Sequence, residues 1–159
     1  MRKPAAFLAI AVFAVAAAAP ARAQSKDIVD TAIGAGSIKT LVKLVQDAGL
    51  VGVLKSPGPF TVFAPTDEAF AKVPKETLDA LGKDKKALVA VLQYHVLTSA
   101  WAVDDFKLVK STGTALGKPV TFKVEGATIH VNDAKVVKPG VAASNGVIHV
   151  VDTVLIPPK

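Results

Sequence analysis

The eleven residues Phe60 to Phe70, FTVFAPTDEAF, constrain this chain more than any other stretch. Phe60-Thr61-Val62-Phe63 is a short β-branched and aromatic run, the pattern of a buried strand. Ala64-Pro65 stops it, because proline has no N–H to give to a ladder. Thr66-Asp67 then offers side-chain oxygens to the free amides of a new helix, and Glu68 puts an anion in its first turn, where the helix dipole favours one. Strand, stop, cap and helix start follow one another directly, so the rest of the chain has to pack around a fixed sheet-to-helix junction. A carboxylate here could serve catalysis, but the position of Asp67 between a strand stop and a helix reads first as a structural N-cap.

The amino terminus reads as a leader. Arg2 and Lys3 form a basic n-region, Ala5 to Ala19 an uncharged apolar run, and Ala21-Arg22-Ala23 a small-residue cleavage site. Residues 1–23 are therefore expected to be a signal peptide and residues 24–159 a single exported domain, periplasmic or extracellular. The apolar run is shorter than the roughly 20 residues a bilayer-spanning helix needs, so no transmembrane segment is expected after cleavage. Arg2, Lys3 and Arg22 account for three charges of the net +6, which leaves +3 on the mature chain. That mature chain has no arginine, and phosphate and guanine recognition lean on the guanidinium fork, so nucleic acid is not an expected partner. The absence of cysteine excludes thiolate catalysis, iron–sulfur clusters and cysteine zinc sites. An exported domain without disulfides must rely on its core, and a 51% hydrophobic composition supplies one.

Along the chain the hydrophobic period changes. Asp27, Ile28, Val29 and Ala32 stand at helical spacing, and Gly34 and Gly36 end that segment. Ser37 is placed to cap a second helix with Ile38, Leu41, Val42, Val45 and Ala48 on one stripe. Pro74 to Leu81 and a helix capped by Asp84 complete a helical front half. After Tyr94-His95 the period becomes two. Val120 to Val124 alternates as a half-buried strand does, Thr128 to Val131 returns, and Ala134 to Val137 makes another short strand. Asn145-Gly146 is a hairpin signal, since both residues tolerate positive φ. The final run VIHVVDTVLIP is apolar on both faces, as a central strand covered on each side would be. Helices followed by a run of strands predict an α+β domain.

Three segments resemble the fasciclin domain family. FTVFAPTDEAF is similar to its first signature box, LQYHVL (Leu92 to Leu97) to its Tyr-His segment, and NGVIHVVDTVLIPP (Asn145 to Pro158) to its second box. The order and spacing match as well, over essentially all of the mature chain. The resemblance implies an antiparallel β wedge or sandwich with N-terminal helices packed against it, and a location outside the cytoplasm. It implies a non-catalytic role in adhesion or matrix contact, the partner being a protein or polysaccharide of the envelope or matrix. It also implies Tyr94 and His95 as interaction residues, the pair implicated in ligand contact in some animal members. This chain departs from those members as a lone domain with a bacterial-looking leader, without RGD.

The remaining chemistry is sparse. His95 continues an apolar helical stripe, which allows a buried neutral imidazole bonded to backbone or carboxylate, or an exposed Tyr-His contact surface. Asp152 lies among apolar neighbours and needs a backbone donor or hydroxyl, which would pin the terminal hairpin. Asp67, Asn145, Gly146 and Asp152 are accordingly read as structural. His130 and His149 could meet if their strands pair, but no HxxxH or HExxH spacing supports a metal site. Neither G-x-S-x-G nor S-x-x-K occurs, and GTALGK (Gly113 to Lys118) has the wrong length for a phosphate loop. No catalytic, cofactor or metal residues are assigned. Two functional classes follow: an exported adhesion or protein-interaction module, or a carrier of a hydrophobic small molecule such as a carotenoid.

Overall fold

Helices fill the first half of the chain because its apolar residues recur at helical spacing, and a computed structural model describes them within residues 26–158. The leader assigned to residues 1–23 lies outside the described residues. Helix α1 (Ile28–Ala35) is capped by Asp27, whose carboxylate accepts from the Asp30 amide at 2.9 Å, and it ends at Gly36 with φ 71°. Helix α2 (Lys39–Asp47) buries Leu41 and Val45 and turns Lys43 outward. The single-turn helix α3 (Val51–Lys55) leads to strand β1 (Phe60–Pro65). Helices α4 (Asp67–Ala71), α5 (Lys75–Lys83) and α6 (Lys85–Tyr94) follow, and Asp84 caps α6 through the Lys86 and Ala87 amides.

The second half supplies β2 (Val96–Leu97), a short helix α7 (Asp105–Leu108), β3 (Ser111–Gly113), β4 (Pro119–Glu125), β5 (Thr128–Val131), β6 (Ala134–Ala143) and β7 (Gly146–Val151). They join β1 in one seven-stranded sheet of order β2-β1-β7-β6-β5-β4-β3. Every neighbouring pair is antiparallel except β1 and β7, which run parallel from Phe60↔Gly146 to Pro65↔Val151. The sheet is therefore mixed, where the sequence reading expected antiparallel strands throughout. Adjacent strands can pair through a hairpin, but β1 and β7 are separated by half of the chain, and such a long crossover permits parallel pairing. The two ends of the sheet approach each other: the Ala115 amide, just after β3, donates to the Val96 carbonyl of β2 at 2.8 Å. The sheet is nearly closed.

That curl makes two cores out of the alternating faces of β1 and β7. Val62, Ala64, Ile148 and Val150 face the helices and pack with Ile28, Leu41, Val45 and Leu92. Phe63 and Val151 face the inside of the curl, with Leu97, Phe106, Val120, Phe122 and Val131. Strands β1 and β7 are thus covered on both sides, which is why the run after Gly146 is apolar at every position up to His149 and beyond it to Val151. Strand β6 extends further than the Ala134–Val137 expected, through a bulge between Val136 and Val141. Pro139 cannot donate to the ladder there, and Gly140 takes φ 70°.

Candidate functional site

Tyr94 and His95 stand where α6 ends and β2 begins, and both side chains are only 2% exposed. The Tyr94 hydroxyl donates to the Pro119 carbonyl at 3.0 Å and accepts from Asn132 Nδ2 at 2.9 Å. Asn132 in turn accepts the Thr121 amide at 2.8 Å. Its backbone has φ 51°, as the two-residue Asn132-Asp133 turn between β5 and β6 requires. One phenol therefore ties the end of α6 to β4 and to the β5–β6 turn. Asn132 was not singled out from the sequence, although an Asn-Asp pair between two short strands carries the turn signal that would have found it.

The His95 ring is held by backbone on both sides. Nδ1 donates to the Val91 carbonyl at 2.7 Å, and Nε2 accepts from the Leu155 amide at 2.9 Å. The Leu155 amide has a proton to give and so fixes the tautomer. Burial pushes the ring pKa down to about 4, with the Val91 carbonyl acting in the other direction. His149 shows the same arrangement with its nitrogens exchanged: Nδ1 accepts from the Gly140 amide at 3.0 Å and Nε2 donates to the Trp101 carbonyl at 2.8 Å. Burial lowers its pKa too, against the pull of that carbonyl. His130 sits on β5, separated from β7 by β6, and its Nε2 is 3.8 Å from Glu125. The two strand histidines do not meet, and no group of three metal-ligating side chains occurs among the described residues.

Asp67 caps a helix other than its own. The Thr66 hydroxyl accepts from the Ala69 amide at 3.1 Å and caps α4. Asp67 reaches back 27 positions, where its Oδ1 accepts from the Thr40 amide at 2.8 Å in the first turn of α2. Its own amide donates to the Ser37 carbonyl at 2.8 Å. Ser37 thus provides a carbonyl at this helix start, and the side-chain cap comes from Asp67. Burial would raise the Asp67 pKa, but the Thr40 amide and hydroxyl and Lys39 outweigh it and leave the carboxyl below its usual range. Asp67→Ala is expected to cost about 0.5–2 kcal/mol in urea unfolding and to speed hydrogen exchange at the Thr40 amide. Unchanged exchange at Thr40 would refute the cap.

The terminal hairpin is a second structural hub. Asn145 Oδ1 accepts from the Ile28 amide at 3.0 Å, and Nδ2 donates to the Leu54 and Ser56 carbonyls at 2.6 and 2.9 Å. The Asn145 carbonyl accepts from Phe60 at 3.0 Å. One side chain thereby joins the start of α1, the end of α3 and the start of β7. Neither Asn145 nor Gly146 has positive φ, so the reason for the pair differs from the hairpin rule: Asn145 bonds outward and Gly146 makes room. Asp152 Oδ1 accepts from the Lys135 amide at 2.9 Å and the Thr153 hydroxyl at 3.0 Å, fastening the end of β7 to β6.

The described surface also holds an apolar cavity of about 160 Å³, bounded by α1, α2, α3, β1 and the α6–β2 junction, with His95 in its wall. No periodicity or motif announces such a space. It arises because the stripes of three helices meet β1 without filling the gap between them.

Helices laid over a nearly closed mixed sheet, with buried polar side chains bonded internally, define an α+β domain of the fasciclin type. Residues 36–157 match the fasciclin domain family, and the chain belongs to it. The family is a non-catalytic adhesion and binding module. The chain is 44% identical over 136 residues to protein sll1483 of Synechocystis, covering 82% of this chain and 73% of that one. It is 38% identical over 116 residues to the cell surface glycolipoprotein MPB83 of Mycobacterium bovis, covering 73% of this chain and 51% of that protein. Among solved structures, the FAS1 domain pair of the insect cell adhesion molecule Fasciclin I superposes with a TM-score of 0.62 at 20% identity, over 79% of this chain and 47% of that one. No helix among the described residues is long and apolar enough to cross a membrane.

Proposed function

We propose that this protein is an exported adhesion or protein-interaction module that works in the cell envelope or extracellular space without catalysing a reaction. The observation that carries the reading is the likeness of nearly the whole described fold to a domain of an adhesion molecule, together with a cell-surface relative. Residues 24–159 would act as one unit once the leader is removed, and the partner would be a protein or polysaccharide of the envelope or matrix. The Tyr94–His95 segment enters this reading from beneath. The two side chains hold the shape of the α6–β2 junction, and the exposed Thr98-Ser99-Ala100 loop beyond it presents the contact.

Beads coated with the purified mature domain are expected to aggregate or to bind native envelope saturably. Cross-linking in that envelope would then identify the partner. Tyr94→Phe, which removes the hydroxyl bridge and keeps the ring, is expected to fold and to bind at least several-fold more weakly. Unchanged binding by a folded Tyr94→Phe protein would remove this segment from the interface, and beads that neither aggregate nor bind would sink the adhesion reading.

A second reading, carriage of a hydrophobic small molecule, draws on one observation: the apolar cavity beneath α1–α3. A visible absorption band on protein purified from its native source would favour it, with a carotenoid as one such cargo.

A further inference from the structure

The cavity under α1–α3 constrains what could fill it. Its wall contains no lysine, aspartate or glutamate. The polar residues that border it are His95, Gln93 and Thr98. His95 has nothing left to offer a ligand, because Val91 and Leu155 occupy both of its ring nitrogens. Gln93 is half-buried and Thr98 exposed, so the free polar atoms lie at the solvent side and the interior is hydrocarbon. A charged group inside would lose its hydration without a partner, so the occupant is neutral in the part that enters.

Size and stiffness narrow the class further. In another protein a cavity of about 150 Å³ lined by Leu, Ile and Phe stays dry and takes up benzene. The cavity here, about 160 Å³, is of one-ring size. Val29, Val45, Val62 and Ile148 line it, and β-branched side chains have few rotamers with which to reshape a wall. A preformed rigid space favours a rigid guest, since a flexible chain loses more freedom on binding. Val53, 55% exposed on α3, marks the mouth.

We infer that this cavity is a binding site for a neutral compound presenting a single hydrocarbon ring, with the ring inside and any hydroxyl at Gln93 and Thr98. The assignment rests on the carrier reading given above and specifies its site and ligand class. Three probes of similar carbon number separate the alternatives: cyclohexylmethanol, its charged analogue cyclohexanecarboxylate, and the flexible 1-heptanol. In methyl NMR titrations of the mature domain at neutral pH, cyclohexylmethanol is expected to shift the Val45, Val62 and Ile148 methyls saturably. The carboxylate is expected to bind at least tenfold more weakly and heptanol several-fold more weakly. Ala32→Leu, which grows into the cavity from α1, should abolish the shifts. Val53→Asp, at an exposed position that leaves the core intact, should weaken binding about tenfold.

Failure of all three probes to bind would refute this site, while the carrier reading would still be decided by the absorption spectrum of the natively purified protein. Binding that survives both substitutions would refute the site and leave carriage standing. Equal affinity for alcohol and carboxylate would refute the ligand class alone.

Discussion

Folding stability is expected to fall by about 3 kcal/mol as the pH drops from about 6.5 to about 4, through His95 alone. In the unfolded chain the ring takes its proton near the ordinary 6.5, whereas in the folded protein it does so only near 4. Between those values the unfolded state binds more protons, so stability rises with pH through the window and is lost on acidification. The physical cause is visible at Nε2. Protonation there would put an N–H against the Leu155 N–H, 2.9 Å away, and would charge a ring enclosed by apolar residues. His149 adds a loss of the same sign, because burial lowers its pKa as well, and its Nδ1 likewise accepts from a backbone amide, that of Gly140. Asp67 and Asp152, whose carboxyls are held below their usual range, contribute their losses at lower pH, as they protonate, and so outside this window. Urea midpoints measured from pH 7.5 to 4 should show the slope. His95→Gln should be less stable at pH 7.5 and follow a visibly flatter curve. A His95→Gln curve parallel to wild type would mean that this ring is not the source. The single Trp101, whose carbonyl holds His149, gives a fluorescence signal for the second histidine.

The elements that sequence made legible are those whose chemistry is local. Asp84 caps α6 because an N-cap acts over three residues, and α2 shows its stripe because helical spacing is local too. The box FTVFAPTDEAF displayed a strand and a helix start for the same reason, and the three boxes together indicated the family. What escaped depends on contacts between distant segments. Asp67 looked like the cap of the helix it begins, and only the folded chain brings the Thr40 amide to it while Thr66 takes the nearer helix. The parallel pairing of β1 with β7 leaves no mark in either strand, since both are apolar on both faces whichever way they run. Strand β3 and helix α7 are too short for a period to show. At the candidate site the pair Tyr94-His95 was legible as a motif, and its burial was one of two readings open for His95. Apart from the Val91 carbonyl four positions back, the partners that use up its polar atoms, Asn132, Pro119 and Leu155, lie 25 to 60 positions away.

Gly146→Ala is expected to cost more than about 4 kcal/mol, well above the loss an ordinary single substitution causes. A Cβ at Gly146 would fall on the Phe60 carbonyl oxygen and stand 2.8 Å from Ile28 Cδ1. Conformation is not the reason, because Gly146 is not among the positive-φ glycines. The reason is space. Phe60 and Gly146 are the first pair of the parallel β1–β7 ladder, and Asn145 beside them holds the Ile28 amide, the Leu54 carbonyl and the Phe60 amide. The obstructing atom is backbone on a strand buried on both faces, so it has nowhere to move without parting the ladder and disturbing both cores. Against a total stability of about 5–15 kcal/mol for a domain of this kind, the variant should be largely unfolded or aggregated at 37 °C. Gly52 supplies the control. It lies within α3, its φ is not positive, and an added Cβ would meet no atom within 4 Å. Gly52→Ala should leave urea stability unchanged or raise it by about 0.4–1 kcal/mol through the unfolded chain. A Gly146→Ala protein within about 1 kcal/mol of wild type would show that β1 and β7 can separate at this pair, and that Asn145 alone sets their approach.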